Sequence, residues 1–301
     1  MSSEAPLVYI SILNWNRFQV TLACLESLKK LDYPNFRVVV VDNGSTDGSV
    51  HRIRQLFPEL ELVENNANYG FARGQNTGIR WALARGARYV WVLNNDTEVD
   101  PHALTALVEE ACRDERIGAV GSLILDLQLR DRVQHWGGGR ASLWYGLSRA
   151  SVSHSRPPDW ITGCSLLLRR EALEDQGLLD EGFFMYWEDA DLGFRLRRAG
   201  WKLAVATGSR LWHSGSGTLG ALSSRGFELN TTSSFRFFFR WAPLPICPLL
   251  VLLVMRVGKR LLCGDWSAIR ATLCGVREGL RAIGPIRGHQ IAASQPEGSG
   301  S

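Results

Sequence analysis

Four clusters in this chain have the residue types that handle phosphate, metal ions or protons. The first is Asn94-Asn95-Asp96-Thr97, directly after the apolar run 89–93. A carboxylate flanked by amides just past a strand could hold a hard cation, Mg2+ or Mn2+, against phosphate oxygens. The same four residues could equally form a polar β-turn. The second is Asp42, at the end of the run 36–41. Its carboxylate could accept hydrogen bonds from a ribose or a pyrimidine imide N–H, or it could cap the following helix. The Gly/Ser-rich loop after it is longer than a cap needs, which favours ligand contact. The third is Trp187-Glu188-Asp189-Ala190-Asp191, three acids opening a helix whose end carries Arg195, Arg197 and Arg198. Dipole complementarity explains that distribution. The functional reading makes one acid a general base, its pKa raised by aromatic walls and a like charge. Asp189 leads a stripe with Leu192 and Leu196, whereas Asp191 shares a face with Arg195 as a surface or structural pair. The fourth is His213, before a Ser/Gly loop. A lone His is more often structural, but neutral imidazole could join Asp96 around Mn2+.

These residues need a scaffold that brings strand ends together. Apolar runs at 7–13, 36–41, 60–64 and 89–93 alternate with helical patterns, which predicts βαβ units and a parallel sheet. Each run exits into polar residues, so the exits share one edge, where open α/β sheets bind ligands. Asp100-Pro101 reads as a helix start. Residues 68–78, NYGFARGQNTG, set Gly70, Gly74 and Gly78 four apart near one helix face. That spacing admits a nucleotide or, as the better reading, tight helix packing. It is not the G-x-G-x-x-G fingerprint. Further on, 134–159 reads as a mobile loop, 160–169 as one strand, 183–200 as one helix and 201–206 as a strand.

The chain has 301 residues, 45% hydrophobic and 21% charged, enough for one large domain or two small ones. A net charge of +4 is too small to suggest nucleic acid. Six scattered cysteines show no metal spacing, and the polar start shows no signal peptide, so reduced cysteines in a cytoplasmic protein are expected. Residues 235–241, FRFFFRW, precede an apolar stretch with Pro243, Pro245 and Pro248 that is too short to span a bilayer of roughly 20 helical residues. It reads either as an interfacial anchor or as a core helix. As an anchor, Phe237, Phe238, Phe239 and Trp241 would insert while Arg236, Arg240, Arg256 and Lys259 met headgroups. The tail from 288 is expected to be disordered.

Taken as a set, VDNGSTDGS at 41–49, NYGFARGQNTG at 68–78, LNNDT at 93–97, TGCSLLLRR at 162–170, FFMYWEDADLGFRLRRAGW at 183–201 and WHSGSGT at 212–218 resemble the family 2 glycosyltransferases, especially the bacterial rhamnosyltransferase-like branch. The resemblance implies an α/β GT-A fold: a Rossmann-like, mostly parallel sheet flanked by helices over 1–218, with a nucleotide-binding half to about 100 and an acceptor-binding half after it. A helical, membrane-associating segment at 219–287 and the tail 288–301 would follow. It implies inverting transfer from a dTDP-, UDP- or GDP-sugar, rhamnose first, to a glycan or lipid-linked acceptor, with room for a homodimer and for peripheral contact with the inner face of the cytoplasmic membrane. Nucleotide-sugar contacts would come from Asn14, Asp42, Asn43, Asn68, Gly70, Arg73, Gly74, Asn76, Asn94 and Asn95. Trp160, Thr162, Gly163 and Trp187 would bind the acceptor. Asp96 and His213 would hold Mg2+ or Mn2+. Asn94 stands where the D-x-D-type motif has its first acid, so Asp96 alone supplies the carboxylate. Asp189 would be the base, with Glu188 orienting the acceptor hydroxyl. The rival readings are a sugar nucleotidyltransferase, which would want a Gly-rich, Arg-containing loop after the first strand, and an inactive scaffold.

Overall fold

Strands that are apolar on both faces need cover on both sides, and the sheet is built accordingly. The computed structural model describes residues 5–150, 157–215 and 223–283. The first half alternates as expected: β1 (Val8–Asn14), α1 (Phe18–Leu28), β2 (Phe36–Asp42), α2 (Ser49–Leu56), β3 (Glu61–Glu64), α3 (Gly70–Ala84) and β4 (Tyr89–Asn94). There follow β5 (Thr97–Val99), α4 (Ala103–Cys112), β6 (Ile117–Asp126), β7 (Val133–Trp136), β8 (Gly138–Ser142), β9 (Leu147–Ala150), β10 (Trp160–Ile161), β11 (Ser165–Arg169), α5 (Arg170–Gln176), α6 (Glu188–Arg198) and β12 (Lys202–His213). Helices α7 (Ser224–Trp241), α8 (Ile246–Leu262) and α9 (Trp266–Ala282) end the described chain.

The large sheet has the order β3-β2-β1-β4-β11-β6-β12-β5, with β7 on β6. Strands β3, β2, β1 and β4 are parallel, and β12 is parallel to β6, while β11 and β5 run against their neighbours. The sheet is thus mixed: six of its nine strands share one direction, and four of its eight pairings are antiparallel. Alternate residues of β4 face two cores. Tyr89, Trp91 and Leu93 pack with α1 and α4, and Val90 and Val92 with α3, α5 and α6. In register, Asn14 pairs with Asp42 and Leu13 with Asn94, so the exits of β1, β2 and β4 share one edge.

Five expectations need correction. Residues 134–159 are not one loop: β8 pairs with β9 and β10 in a small second sheet, and β7 joins the large one. The Gly-rich composition hid these strands, but Gly138 and Gly139 are there because Trp160 packs where their Cβ atoms would be. The strand expected over 160–169 is two, separated by Thr162-Gly163-Cys164. The helix expected from 183 starts at Glu188, because Tyr186 and Trp187 take left-handed φ values of 70° and 69°. Helix α4 starts at Ala103 rather than Pro101, since 97–99 pairs with β12 and Asp100 Oδ1 accepts the His102 N–H in a turn.

The last correction is the aromatic helix. Phe237 and Phe238 are fully buried, packing with Phe183 and Trp187 beside α6. Arg236 and Arg240 both pair with Asp180, and Arg240 also pairs with Asp191. Helix α7 is therefore core, and these side chains cannot insert into a bilayer. The tail 288–301 lies outside the described residues. Among those described, no helix is long and apolar enough to cross a membrane.

Candidate active site

The polar strand exits open on one cavity of about 280 Å³. Its floor is the turn after β4. Thr97 Oγ1 donates to Asn94 O, and the Asn95 side-chain amide donates to Thr21 Oγ1, which anchors the turn to α1. Asn94, Asn95 and Asp96 all line the cavity.

Asp96 meets His213, delivered by the far end of β12. Ser214 Oγ donates to Asp96 Oδ2 at 2.9 Å. Burial would raise the Asp96 pKa, but His213 and Ser214 outweigh it and hold the carboxyl below its ordinary value. His213 Nδ1 lies 3.2 Å from Gln134 Oε1 on β7, which orients the ring. His213 Nε2 lies 3.2 Å from Asp96 Oδ1, yet it is buried and off the line of any hydrogen bond. Two atoms able to ligate a cation thus lie close together without a hydrogen bond between them. Burial opposes a charge on His213, but the Cys164 sulfur and the Asp96 carboxylate outweigh burial and raise its pKa to about 11. A cation at this point would replace that proton. Among the described residues no group of three or more His, Cys, Asp or Glu is placed to hold a metal ion. Asp96 and His213 are the two side chains here that would hold a divalent ion.

The other wall is the start of α6. Glu188 is buried, its Oε2 has no partner, and burial together with the Asp189 charge lifts its pKa well above the ordinary value. Asp189 Oδ2 accepts the Gly163 N–H at 3.1 Å, and Oδ1 accepts that of Ala190 at 2.7 Å. Burial raises Asp189 as well, with those backbone donors pulling the other way. The break at Thr162–Cys164 is what places an N–H opposite this acid. The strained pair Tyr186 and Trp187 costs of order 1–3 kcal/mol per residue. It turns the chain sharply enough for α6 to begin inside the cavity. Gly70 completes the corner. Its φ is 81°, and an added Cβ would lie 2.3 Å from Phe184 O, the atom that accepts the Phe71 N–H.

The expected nucleotide contacts divide. Asn43, Asn68 and Gly70 line the cavity. Asn43 holds the loop there by donating to Asn68 Oδ1 and Gly70 O. Asp42 and Asn14 sit beneath, bonded to each other at 2.7 Å, with Asp42 also accepting the Ser45 N–H. Neither lines the cavity, so Asp42 holds the loop after β2 in the described conformation. Arg73 turns outward over the Tyr69 ring. Gly74 and Gly78 face Leu13 and Ser11, which is the packing reading of that spacing. Asn76 is buried, bridging to the backbone of Leu179. Of the acceptor candidates, Thr162 and Gly163 line the cavity, whereas Trp160 packs under Gly139 and Gly193 and Trp187 faces α7. Asp191 is a structural pair but no surface one: fully buried, it accepts from Arg195, Arg240 and Trp241.

Sequence reasoning missed His135. It lines the cavity, its buried Nδ1 has no partner, and burial followed by the nearby His213 lowers its pKa to about 4. Nothing in the spacing of His135 and His213 signals that β7 and β12 both pair with β6, which brings them together. Trp15, Phe184, Met185 and Tyr186 also line the cavity. Ser216, Gly217 and Thr218 of the motif after His213 lie outside the described residues.

The chain is 34% identical over 204 residues to N-acetylglucosaminyl-diphospho-decaprenol L-rhamnosyltransferase of Mycobacterium tuberculosis, a match over 58% of this chain and 66%, just under two thirds, of that one. It is 30% identical over 201 residues to the O-antigen biosynthesis protein RfbC of Myxococcus xanthus, covering 62% of this chain and 15% of the other. A solved structure of similar fold is the mannosyltransferase PcManGT from Pyrobaculum calidifontis in complex with GDP-Man and Mn2+. Its TM-score is 0.58 at 20% identity, over 93% of this chain and 76% of that one. The fold is GT-A, as read from the motifs. The model of Glycosyl transferase family 2 matches residues 9–176, more than half of the sequence, and the chain belongs to that family.

Proposed function

We propose that this chain is an inverting, metal-dependent glycosyltransferase. It moves a sugar, rhamnose from dTDP-rhamnose first, to a hydroxyl of a glycan or lipid-linked acceptor in polysaccharide synthesis at the inner face of the cytoplasmic membrane. The observation that carries this reading is that one cavity holds both the Asp96–His213 pair and the un-neutralised Glu188–Asp189 pair. A divalent ion, Mg2+ or Mn2+, held by Asp96 and His213 would neutralise the leaving diphosphate. Asp189 accepts the proton of the acceptor hydroxyl as that oxygen attacks the anomeric carbon and the bond to the diphosphate breaks. The hydrogen bonds from Gly163 and Ala190 fix the carboxylate, and burial raises its pKa, which makes it the stronger base. Glu188 orients the hydroxyl. One displacement inverts the centre, as in inverting hydrolases. The Mycobacterium tuberculosis relative supports rhamnose as donor sugar and a diphosphate-linked lipid as acceptor.

The test is a calorimetric and hydrolysis screen of dTDP-, UDP- and GDP-sugars with Mn2+. Hydrolysis of one nucleotide sugar, dependent on Asp96, is expected. Synthesis of a nucleotide sugar from a sugar phosphate would mark a nucleotidyltransferase instead, and binding without turnover in the presence of acceptor an inactive scaffold.

A further inference from the structure

A second cavity, of about 310 Å³, lies between the β8–β9 hairpin and helices α7 and α8. Three cations from α8 line it: Arg256, Lys259 and Arg260. Arg256 is half-buried, and its hydrogen bonds go to Thr231 Oγ1 and Asn230 Oδ1, both neutral. Burial lowers its pKa to about 10. Lys259 makes no ion pair among the described residues, and Arg260, stacked on Phe227, reaches Asp265 only at 3.5 Å. A largely buried cation is ordinarily matched by a carboxylate; Arg256 has none, and with Lys259 and Arg260 beside it the cavity wall has the character of an anion site.

The position suggests the anion. Trp187 lines this cavity, while its neighbours Tyr186 and Glu188 line the first. One strained step of backbone therefore separates the cationic cavity from the acids. The surroundings suggest what the anion is attached to. The outward half of α8 exposes Ile246, Leu250, Val254, Leu261 and Leu262, and Met255 is both exposed and part of the cavity wall. Beside it the hairpin tip exposes Trp144 and Tyr145, held against α8 because Gly146, at φ 64°, lets Pro248 O approach. An apolar half-helix with adjacent Trp and Tyr and flanking basic residues is the composition of an interfacial surface.

We propose that this cavity is the subsite for the diphosphate of a lipid-linked acceptor, with Arg256, Lys259 and Arg260 binding phosphate oxygens and the lipid chain leaving past Met255 along the apolar face of α8. The proposal rests on the glycosyltransferase reading above and names the acceptor's class. It also relocates the membrane-facing surface from the buried aromatics of α7 to the outer face of α8.

The test titrates the full-length chain with farnesyl diphosphate and, as control, farnesol, both in detergent. Diphosphate binding should be stronger than farnesol binding by about tenfold or more, and Arg256→Gln or Lys259→Ala should each lose about tenfold or more of it, the loss of one charge-assisted hydrogen bond. Asp96→Asn should leave it unchanged. Lys259 is exposed, so its variant tests the site even if Arg256→Gln fails to fold. Equal binding of farnesol, or loss in Asp96→Asn but not in Lys259→Ala, overturns the proposal. So does Lys259-dependent flotation with phosphatidylglycerol vesicles without any preference for farnesyl diphosphate, which would assign the cations to phospholipid headgroups. Failure of the glycosyltransferase reading would show separately, as no turnover of any nucleotide sugar while farnesyl diphosphate still binds.

Discussion

Replacing Glu188 by Gln should make the protein more stable at neutral pH while impairing transfer. The side chain is buried, one carboxylate oxygen has no partner, and Asp189 stands next to it. Burial first, and then the Asp189 charge, raise its pKa well above the ordinary 4.5. The folded protein therefore binds more protons than the unfolded chain between those two values. By linkage, the stability present below about pH 4.5 is lost as pH rises towards the folded pKa. Each unit of that difference costs about 1.4 kcal/mol once pH exceeds both values. The N-terminus of α6 offsets part of this, about 0.3–1 kcal/mol, by favouring negative charge. Gln keeps the shape and cannot ionise, so the variant escapes the net cost. In a chain of this size 1 kcal/mol moves Tm by about 1.5–2 °C. Differential scanning fluorimetry should show Glu188→Gln melting at least about 1.5–2 °C above wild type at pH 7.5, with the two curves converging as the buffer approaches pH 4.5. A variant that melts lower at pH 7.5, or a gap that does not change with pH, would refute the reasoning.

Asp96→Asn should lower turnover by on the order of a hundredfold or more through lost charge stabilisation, and calorimetry should show weakened Mn2+ binding; wild-type turnover unchanged by EDTA would count against it. Asp189→Asn should leave nucleotide affinity nearly intact by calorimetry while reducing turnover by roughly 10²–10⁴-fold, as for a lost general base. Asp191→Asn should act on stability instead: a buried acid holding Arg195, Arg240 and Trp241 is removed, at about 3–5 kcal/mol, read by urea denaturation. Gly70→Ala should destabilise and, by shifting the 184–188 segment, lower turnover too, because a Cβ meets Phe184 O at φ 81°; a wild-type melting curve for this variant would show that the corner is softer than its geometry implies.

Most of what positions the site is local, and that is why it was readable. The parallel strands are apolar on both faces and end in polar residues, so the register that puts Asn14, Asp42 and Asn94 on one edge follows from period and composition. The cavity's other wall is set by distant pairing. His135 approaches His213 because β7 and β12 both pair with β6, and no spacing in the chain encodes that. Asp42 is a case where local composition does not tell which partner a side chain takes. Its loop looked too long for a cap, yet Asn14 and Ser45 take up its carboxylate and leave it beneath the cavity rather than in it.

The segment FRFFFRW shows why composition alone could not choose between membrane and core. Aromatic and basic residues at helical spacing suit a bilayer interface, where rings enter lipid and guanidinium groups meet phosphates. They equally suit a helix that buries its rings against a protein supplying the carboxylates. What distinguishes the cases lies some fifty residues upstream, in Asp180 and Asp191, which Arg236 and Arg240 neutralise inside the protein. Asp191 cannot be buried charged without these partners, and it sits two residues after the proposed base on the same helix. Helix α7 is therefore joined to the start of α6 by charge as well as by packing.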